Sequence, residues 1–455
     1  MESVTITWID WGIWLIYFAI LFSLLMIYKW SKDEVHYKYF LLGFIIKVFA
    51  GVAYVYIFNY YFMFGDTFVY AKGAGVMAET LANDPVTYVR LLLAENDNLP
   101  PDLWQFQQRI TYSRGAEEWF MVKLFSPMML ISFHSYLVST LFMSLISFWG
   151  GWKLYQVFRD ILPQRKDLAF IAVFLAPSAL FWGSGIMKDT FTLAGINYII
   201  YCLYFSLFKR QFHMSLFIGV IIAGTIVFLM KAYIILTFLP ALLFGINEMI
   251  KVEIRNKMIK RGLGLILLLV SVSVIYFGPR FLQEASEKYT VESIESRVRG
   301  FQTWHTDVGG SSYNLGELEY TGSGVAKKIP AALNVTFFRP YIWEARNPVV
   351  LLAALESAAL FILCLMVFYK LGFGFMRYIR EKPILYTFLI YSLIFGFVVG
   401  FTSYNFGALG RYKIPVYSIF AFILIYLNHF GNLNLEKRRY VKQKSLDEMQ
   451  GPGKN

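Results

Sequence analysis

Charge is what this sequence has least of: Asp, Glu, Lys and Arg make up 16% of its 455 residues, where a soluble domain carries roughly 25%. So little polar surface cannot cover a water-soluble globule of this length. Histidine is limited to five residues and cysteine to two, Cys202 and Cys364. Both cysteines fall inside apolar runs and read as packing residues, with neither a disulfide framework nor a zinc site implied. No HExxH and no clustered CxxC occurs, so a dedicated metal site is not expected. A leader with a basic start and a small-residue cleavage site is missing too, and the first apolar run, 11–28, is expected to stay as a helix. No inverted internal repeat of the secondary-transporter kind is visible.

Hydrophobic residues make up 57% of the chain and aromatics 19%. Such a surplus suits side chains that fill helix interfaces and anchor at headgroup level. A hydrocarbon core of about 30 Å needs roughly 20 apolar residues in a helix. On that criterion the fold class is all-α, a polytopic membrane protein of about 11 spans. They are expected near 11–29, 39–58, 127–150, 168–184, 190–208, 214–230, 233–250, 263–279, 349–369, 384–402 and 414–430. This divides the chain into a first pair of spans (1–58), a loop with interfacial helices (59–126), and spans three to eight (127–279). A second long loop (280–347), three last spans (348–430) and a basic tail (431–455) follow.

The net charge of +12 could point to nucleic acid, but its distribution follows topology instead. Alternate loops fall into a short set carrying 24 Lys and Arg and a much longer set carrying 17. The positive-inside rule makes the first set cytoplasmic. The N-terminus is then external, the tail cytoplasmic, and both long loops external. A bacterial inner membrane is the expected location, and nucleic acid is not an expected partner. Stretches 85–96 and 116–125 mix apolar and charged residues at helical spacing and read as helices along the membrane surface.

Four external features can carry chemistry. FMFGDTFVYAKG (62–73) places Asp66 just past the second span, where a carboxylate can act as general base or hold a sugar hydroxyl; the blander reading is a turn and helix cap. APSALFWGSGIMKDT (176–190) breaks a span with Pro177 and glycines, a backbone tolerated at membrane depth where it lines a cavity. It leaves Lys188 and Asp189 at the mouth, although Lys188 could simply flank a helix. FFRPYIWEARNP (337–348) clusters Arg339, Glu344 and Arg346, either a phosphate site or an Arg–Glu surface pair. NFGALGRYKIP (405–415) sets Arg411, Tyr412 and Lys413 before the last span, suited to an anionic lipid headgroup. His305 is the one histidine in a long external loop. Lys47 and Glu356 are ionisable residues within spans, costly there and usually paired or functional; a Lys47–Glu356 pair is one arrangement.

This order of features resembles the GT-C superfamily of polyprenyl-linked glycosyltransferases, the group that includes protein O-mannosyltransferases and aminoarabinose transferases. The points of likeness are Gly65-Asp66 opening an early external loop, the horizontal helices after it, the broken 177–188 segment, and Arg411-Tyr412-x-x-Pro415. The resemblance implies that Asp66 is the catalytic acid or base, and that Arg411, with Lys188, Lys413 and Arg339, holds the lipid phosphate. Asp189, Tyr412, Glu344, Arg346 and His305 would then contact the substrate. The chain departs from the family in having one extra helix before the Asp loop. The second acid of that loop is open among Glu79, Asp84, Glu117 and Glu118. The implied partners are a polyprenyl-phosphate-linked sugar, membrane lipids, and a glycan, lipid or protein acceptor. No cofactor is expected, and a divalent cation held by Asp66 and a neighbour stays open. Three other readings compete: an O-antigen-type polymerase or ligase, a transporter or flippase, and a non-catalytic envelope scaffold.

Overall fold

A computed structural model describes residues 4–29, 34–96, 99–285, 312–316 and 321–450. Every named element among them is helical. Nine helices among the described residues are long and apolar enough to cross a membrane, and the chain is an integral membrane protein. Outward stripes such as Ile16, Ile20 and Leu24, each more than half exposed, repeat at i, i+4 and i+8 and supply the apolar face that lipid would cover.

Nine differs from the expected eleven for two local reasons. The span expected at 168–184 is divided into Lys166–Phe174 and Pro177–Trp182, because Pro177 cannot continue a helix. The spans expected at 214–230 and 233–250 run together as Met214–Glu253, with Lys231 non-helical inside it (φ −154°, ψ 75°). A third difference lies at 127–150. Residues 127–131 belong instead to the preceding helix, Ala116–Ile131. The next helix, Tyr136–Ile161, starts after Phe133 and His134, both at positive φ, and is capped by Ser135, which accepts from the Val138 N–H at 3.3 Å.

The chain forms two compact units. Unit 1 holds residues 1–163, 173–236 and 410–415. Its centre is the contact of Tyr136–Ile161 with Lys188–Leu203, where a Cβ on Gly150 would stand 2.5 Å from the Ala194 Cα. Small residues let apolar helices approach this closely, which is how helices gain packing energy in lipid. Glu34–Tyr56 packs on the same helix through aromatic edges, with Phe40 4.8 Å from Trp152 and 5.0 Å from Phe148. Asp66–Asn83 lies against Ala116–Ile131, and Gly73 faces Ile110 and Val122 there.

Lys47 is buried in this unit, and its ammonium donates to the carbonyls of Ala179 (3.1 Å), Leu180 (3.4 Å) and Gly183 (3.2 Å) and to Ser184 Oγ (3.2 Å). It therefore caps the C-terminal end of Pro177–Trp182, where carbonyls with acceptor capacity to spare and the negative end of the helix dipole favour a cation. These four bonds satisfy the Lys47 ammonium within unit 1. Replacing it tests the cap: Lys47→Met should destabilise the protein in detergent by about 2–3 kcal/mol, the scale of hydrogen bonds to a charged group. Thermal melting reads the effect, and an unchanged melting temperature would remove this account.

Unit 2 holds residues 164–172, 237–409 and 416–455. Ile329–Phe338 crosses Pro383–Thr402 at its glycines, with Thr336 Oγ1 donating to the Gly396 carbonyl at 2.6 Å. Tyr313 stacks on Tyr404 at 5.7 Å and donates to the Gly400 carbonyl at 2.9 Å.

Candidate functional site

Unit 1 gathers charge at the ends of its helices. Asp66 is the first residue of Asp66–Asn83, Glu117 and Glu118 lie in the first turn of Ala116–Ile131, and Asp189 lies in the first turn of Lys188–Leu203. Arg411 sits in the last turn of Phe406–Tyr412, and Lys231 at the break inside Met214–Glu253. The acids stand at positive helix ends and Arg411 at a negative one, so those dipoles favour the charge beside them, whereas Lys188 opens a helix against its dipole and is held by Glu117 and Glu118.

The turn that aims Asp66 is built by its predecessors. Residues Ile57–Phe62 wind into a π-helical turn, and Met63 at φ 58° bonds back to the Phe58 carbonyl at 2.8 Å. Gly65 then takes φ 147° directly before Asp66, a backbone region open to glycine and strained for other residues. A Cβ there would also stand 2.8 Å from the Phe58 ring. Gly65→Ala should therefore destabilise the protein by more than about 1 kcal/mol, whereas at an unstrained position the same change would stabilise it. Melting in detergent should report it, and a melting temperature equal to that of the wild type would contradict it.

Arg411 joins two carboxylates far apart in sequence. Its Nη1 donates to Asp66 Oδ2 at 2.9 Å and its Nε to Asp189 Oδ2 at 2.6 Å. Its Nη2 has no hydrogen-bond partner among the described residues. Lys231 Nζ donates to the other oxygen of Asp189 at 2.5 Å and lies 4.8 Å from the centre of the Tyr412 ring. Asp189 is thus an interior counter-ion, its side chain 2% exposed, whereas that of Asp66 is 43% exposed. Of the two, Asp66 is the acid a substrate can reach. The Tyr112 hydroxyl donates to Asp66 Oδ1 at 2.8 Å.

Lys188 does not join the Arg411 bridge. Its ammonium donates to Glu117 Oε2 and Glu118 Oε1, both at 2.9 Å. Among Asp66, Glu117, Glu118, Asp189, Lys188, Lys231 and Arg411 the formal charge is −1. Burial disfavours the Arg411 charge, but the Asp189 and Asp66 carboxylates outweigh it and hold the guanidinium well above its ordinary range. Burial, reinforced by the negative charge of Asp66, raises the Tyr112 hydroxyl, which stays protonated as a donor.

The remaining expected site residues fall elsewhere. Lys413, expected beside Arg411 as a phosphate ligand, is fully buried and presents no ammonium to solvent. Arg339, Glu344 and Arg346 belong to unit 2. There Arg339 is paired with Glu344, and its guanidinium lies 5.2 Å from the Phe406 ring and 5.8 Å from that of Tyr313. This is the arrangement of an Arg–Glu pair wrapped in aromatics, and the Arg339 fork is already filled. His305 lies outside the described residues, as do 286–311 and 317–320 of the second long loop. Among the described residues no three His, Cys, Asp or Glu side chains gather around a common point that could hold a metal.

Lys231 and Tyr112 enter the site without having been singled out by sequence. For Lys231 a signal exists, a lone ammonium within VFLMKAYIIL, since an ionisable residue between apolar neighbours calls for a partner. The chain matches no protein-family model, no curated protein and no solved structure.

Proposed function

We propose that the protein is a membrane glycosyltransferase that moves a sugar from a polyprenyl-phosphate donor to an acceptor hydroxyl at the external face. The observation that carries this reading is the Asp66–Arg411–Asp189 bridge, a reachable carboxylate and an anchored guanidinium on one hydrogen bond. A forked cation suits a phosphate oxygen, and Nη2 is ready to donate to one. Because the cluster is net negative, the donor phosphate must compete with Asp66 for Arg411. Binding then frees the carboxylate at the moment it is needed. The acceptor oxygen bonds to the anomeric carbon, the bond from that carbon to the phosphate oxygen breaks, and the electron pair leaves with the polyprenyl phosphate. Asp66 takes the hydroxyl proton, and Arg411 stabilises the charge growing on the leaving phosphate.

The same contacts support eleven crossings. Asp66 follows the candidate span His36–Phe62 and Asp189 opens Lys188–Phe208, with Tyr136–Ile161 the one continuous candidate span between them. A single crossing would leave the two acids on opposite faces, yet both bond Arg411. The broken pair Lys166–Phe174 and Pro177–Trp182 supplies the return. Lys231 bonds Asp189, so the helix break at 231 marks the end of one crossing and the start of the next. These two additions to the nine continuous helices give eleven, with the N-terminus external and the C-terminus cytoplasmic.

An O-antigen-type polymerase draws on several free arginines, and Arg339 is occupied by Glu344, which favours the transferase. A transporter needs polar groups along a midplane path, whereas the buried Lys47 is spent on a helix end. The deciding experiment supplies purified protein in vesicles with labelled polyprenyl-phosphate monosaccharides and, separately, polyprenyl-diphosphate oligosaccharides, together with cell-envelope acceptors. Transfer from the first donor class supports the proposal. Transfer from the second alone supports the polymerase, and transfer from neither overturns both.

A further inference from the structure

We infer that Tyr112 is the positioning residue for Asp66, holding the carboxylate in its reactive orientation when Arg411 turns to the donor phosphate. The inference rests on the transferase reading and adds a residue that the reading does not require.

Asp66 Oδ2 is held by Arg411 and Oδ1 by Tyr112. In the proposed reaction the first bond is the one the phosphate competes for. A carboxylate then left with no donor would rotate freely about its side-chain torsions, and a general base must keep hydrogen-bond reach of the proton it takes. The bond to Tyr112 survives that exchange, because the phenol is neutral and has no attraction for phosphate comparable to that of a guanidinium.

The surroundings fix the phenol itself. Tyr70 stands four residues after Asp66 on the same helix, so the two share a face. The Tyr112 ring lies 4.7 Å from that of Tyr70, which leaves its hydroxyl one helical turn back, on Asp66. The backbone beneath is pinned on both sides. Ile110 is fully buried against Gly73, Ser113 is fully buried, and Arg109 pairs with Glu79 at 2.8 Å. The short turn Thr111–Ser113 therefore delivers one hydroxyl to one carboxylate oxygen from a packed base. Since Tyr112 holds its proton, it donates and does not compete as a base.

The test is Tyr112→Phe, alone and combined with Asp66→Asn, in the full-length protein in detergent and in vesicles. Tyr112→Phe should lower kcat about tenfold, the rate equivalent of one hydrogen bond of about 1.4 kcal/mol, and leave KM for the donor unchanged. On the Asp66→Asn background the same change should cost no further rate, because the group it positions is gone. Melting temperatures in a second cycle, Tyr112→Phe with Asp66→Ala, which removes the acceptor altogether, test the contact apart from the chemistry, and the two substitutions should be non-additive there. Additive melting shifts overturn the inference, as does an unchanged kcat or a loss confined to KM. A wild type without transfer activity overturns the transferase reading and the positioning role with it, while the melting cycle still judges the Tyr112–Asp66 contact on its own.

Discussion

Arg411→Ala should lower transfer by about 10²–10³-fold, the loss found when one donor to a developing oxyanion is removed, and should destabilise the fold as well. Two structural effects add to the chemical one. Asp189, with its side chain 2% exposed, loses one of its two cations and keeps Lys231 at 2.5 Å. Breaking a buried pair costs about 3–5 kcal/mol, and retention of Lys231 places this case at the low end. Asp66 loses its link to the interior, but it is half exposed and water can replace the guanidinium. Arg411→Lys separates the two contributions. An ammonium keeps the charge beside Asp189 yet cannot present a planar fork to two carboxylates and a phosphate. It should recover most of the melting temperature and little of the turnover. If Arg411→Ala protein, recovered folded, turned over polyprenyl-phosphate sugar at the wild-type rate, the assignment of Arg411 to the leaving phosphate would fail.

Hydropathy was enough to read this chain as an all-helical membrane protein, because length and apolarity set what can cross a bilayer. Asp66, Asp189 and Arg411 stood out for a related reason: charge is scarce, and each lies at the end of an apolar run. Partners are another matter. Glu117 and Glu118 stood among several candidates for a second acid in the loop after Asp66, and only folding assigns them to Lys188. Lys231 reads as a link residue between two spans, and a helix break does fall there, but its partner Asp189 is not legible in the local sequence. There is neither proline nor glycine beside it in FLMKAYI, and the pull of Asp189 supplies the reason for the bend. Tyr112 carries no distinguishing signal among 31 tyrosines. Arg339 shows the converse: a motif that suits phosphate in isolation is filled by its own neighbour Glu344. Charge placement is readable throughout, but pairing only in part: Arg339 with Glu344 and Asp66 with Arg411 are within reach of the sequence, whereas Lys188 with Glu117 and Glu118 and Lys231 with Asp189 are not.

Asp66→Asn separates binding from chemistry and has the larger expected effect on rate. The amide cannot take the acceptor's proton, so kcat should fall by about 10²–10⁴-fold, the range for loss of a general base. Its shape is nearly unchanged, its oxygen can still accept from one of the two donors that hold Asp66, and the position is 43% exposed, so melting should shift little. The distinctive result concerns the donor. With the negative charge gone, Arg411 no longer pairs with Asp66, and the seven-residue cluster becomes neutral. Polyprenyl phosphate should then bind more tightly than to the wild type, by about fivefold if the half-exposed pair it displaces is worth about 1 kcal/mol. Loss of turnover together with tighter phosphate binding is what competition for Arg411 requires. Were Asp66 merely a helix cap, Asn would cap equally well and neither quantity would move. Were it a sugar-binding group without a role in proton transfer, binding of the sugar-free polyprenyl phosphate would still tighten, while donor KM would rise and kcat would fall far less. Equilibrium binding of polyprenyl phosphate and steady-state transfer, measured on the same variant, distinguish all three.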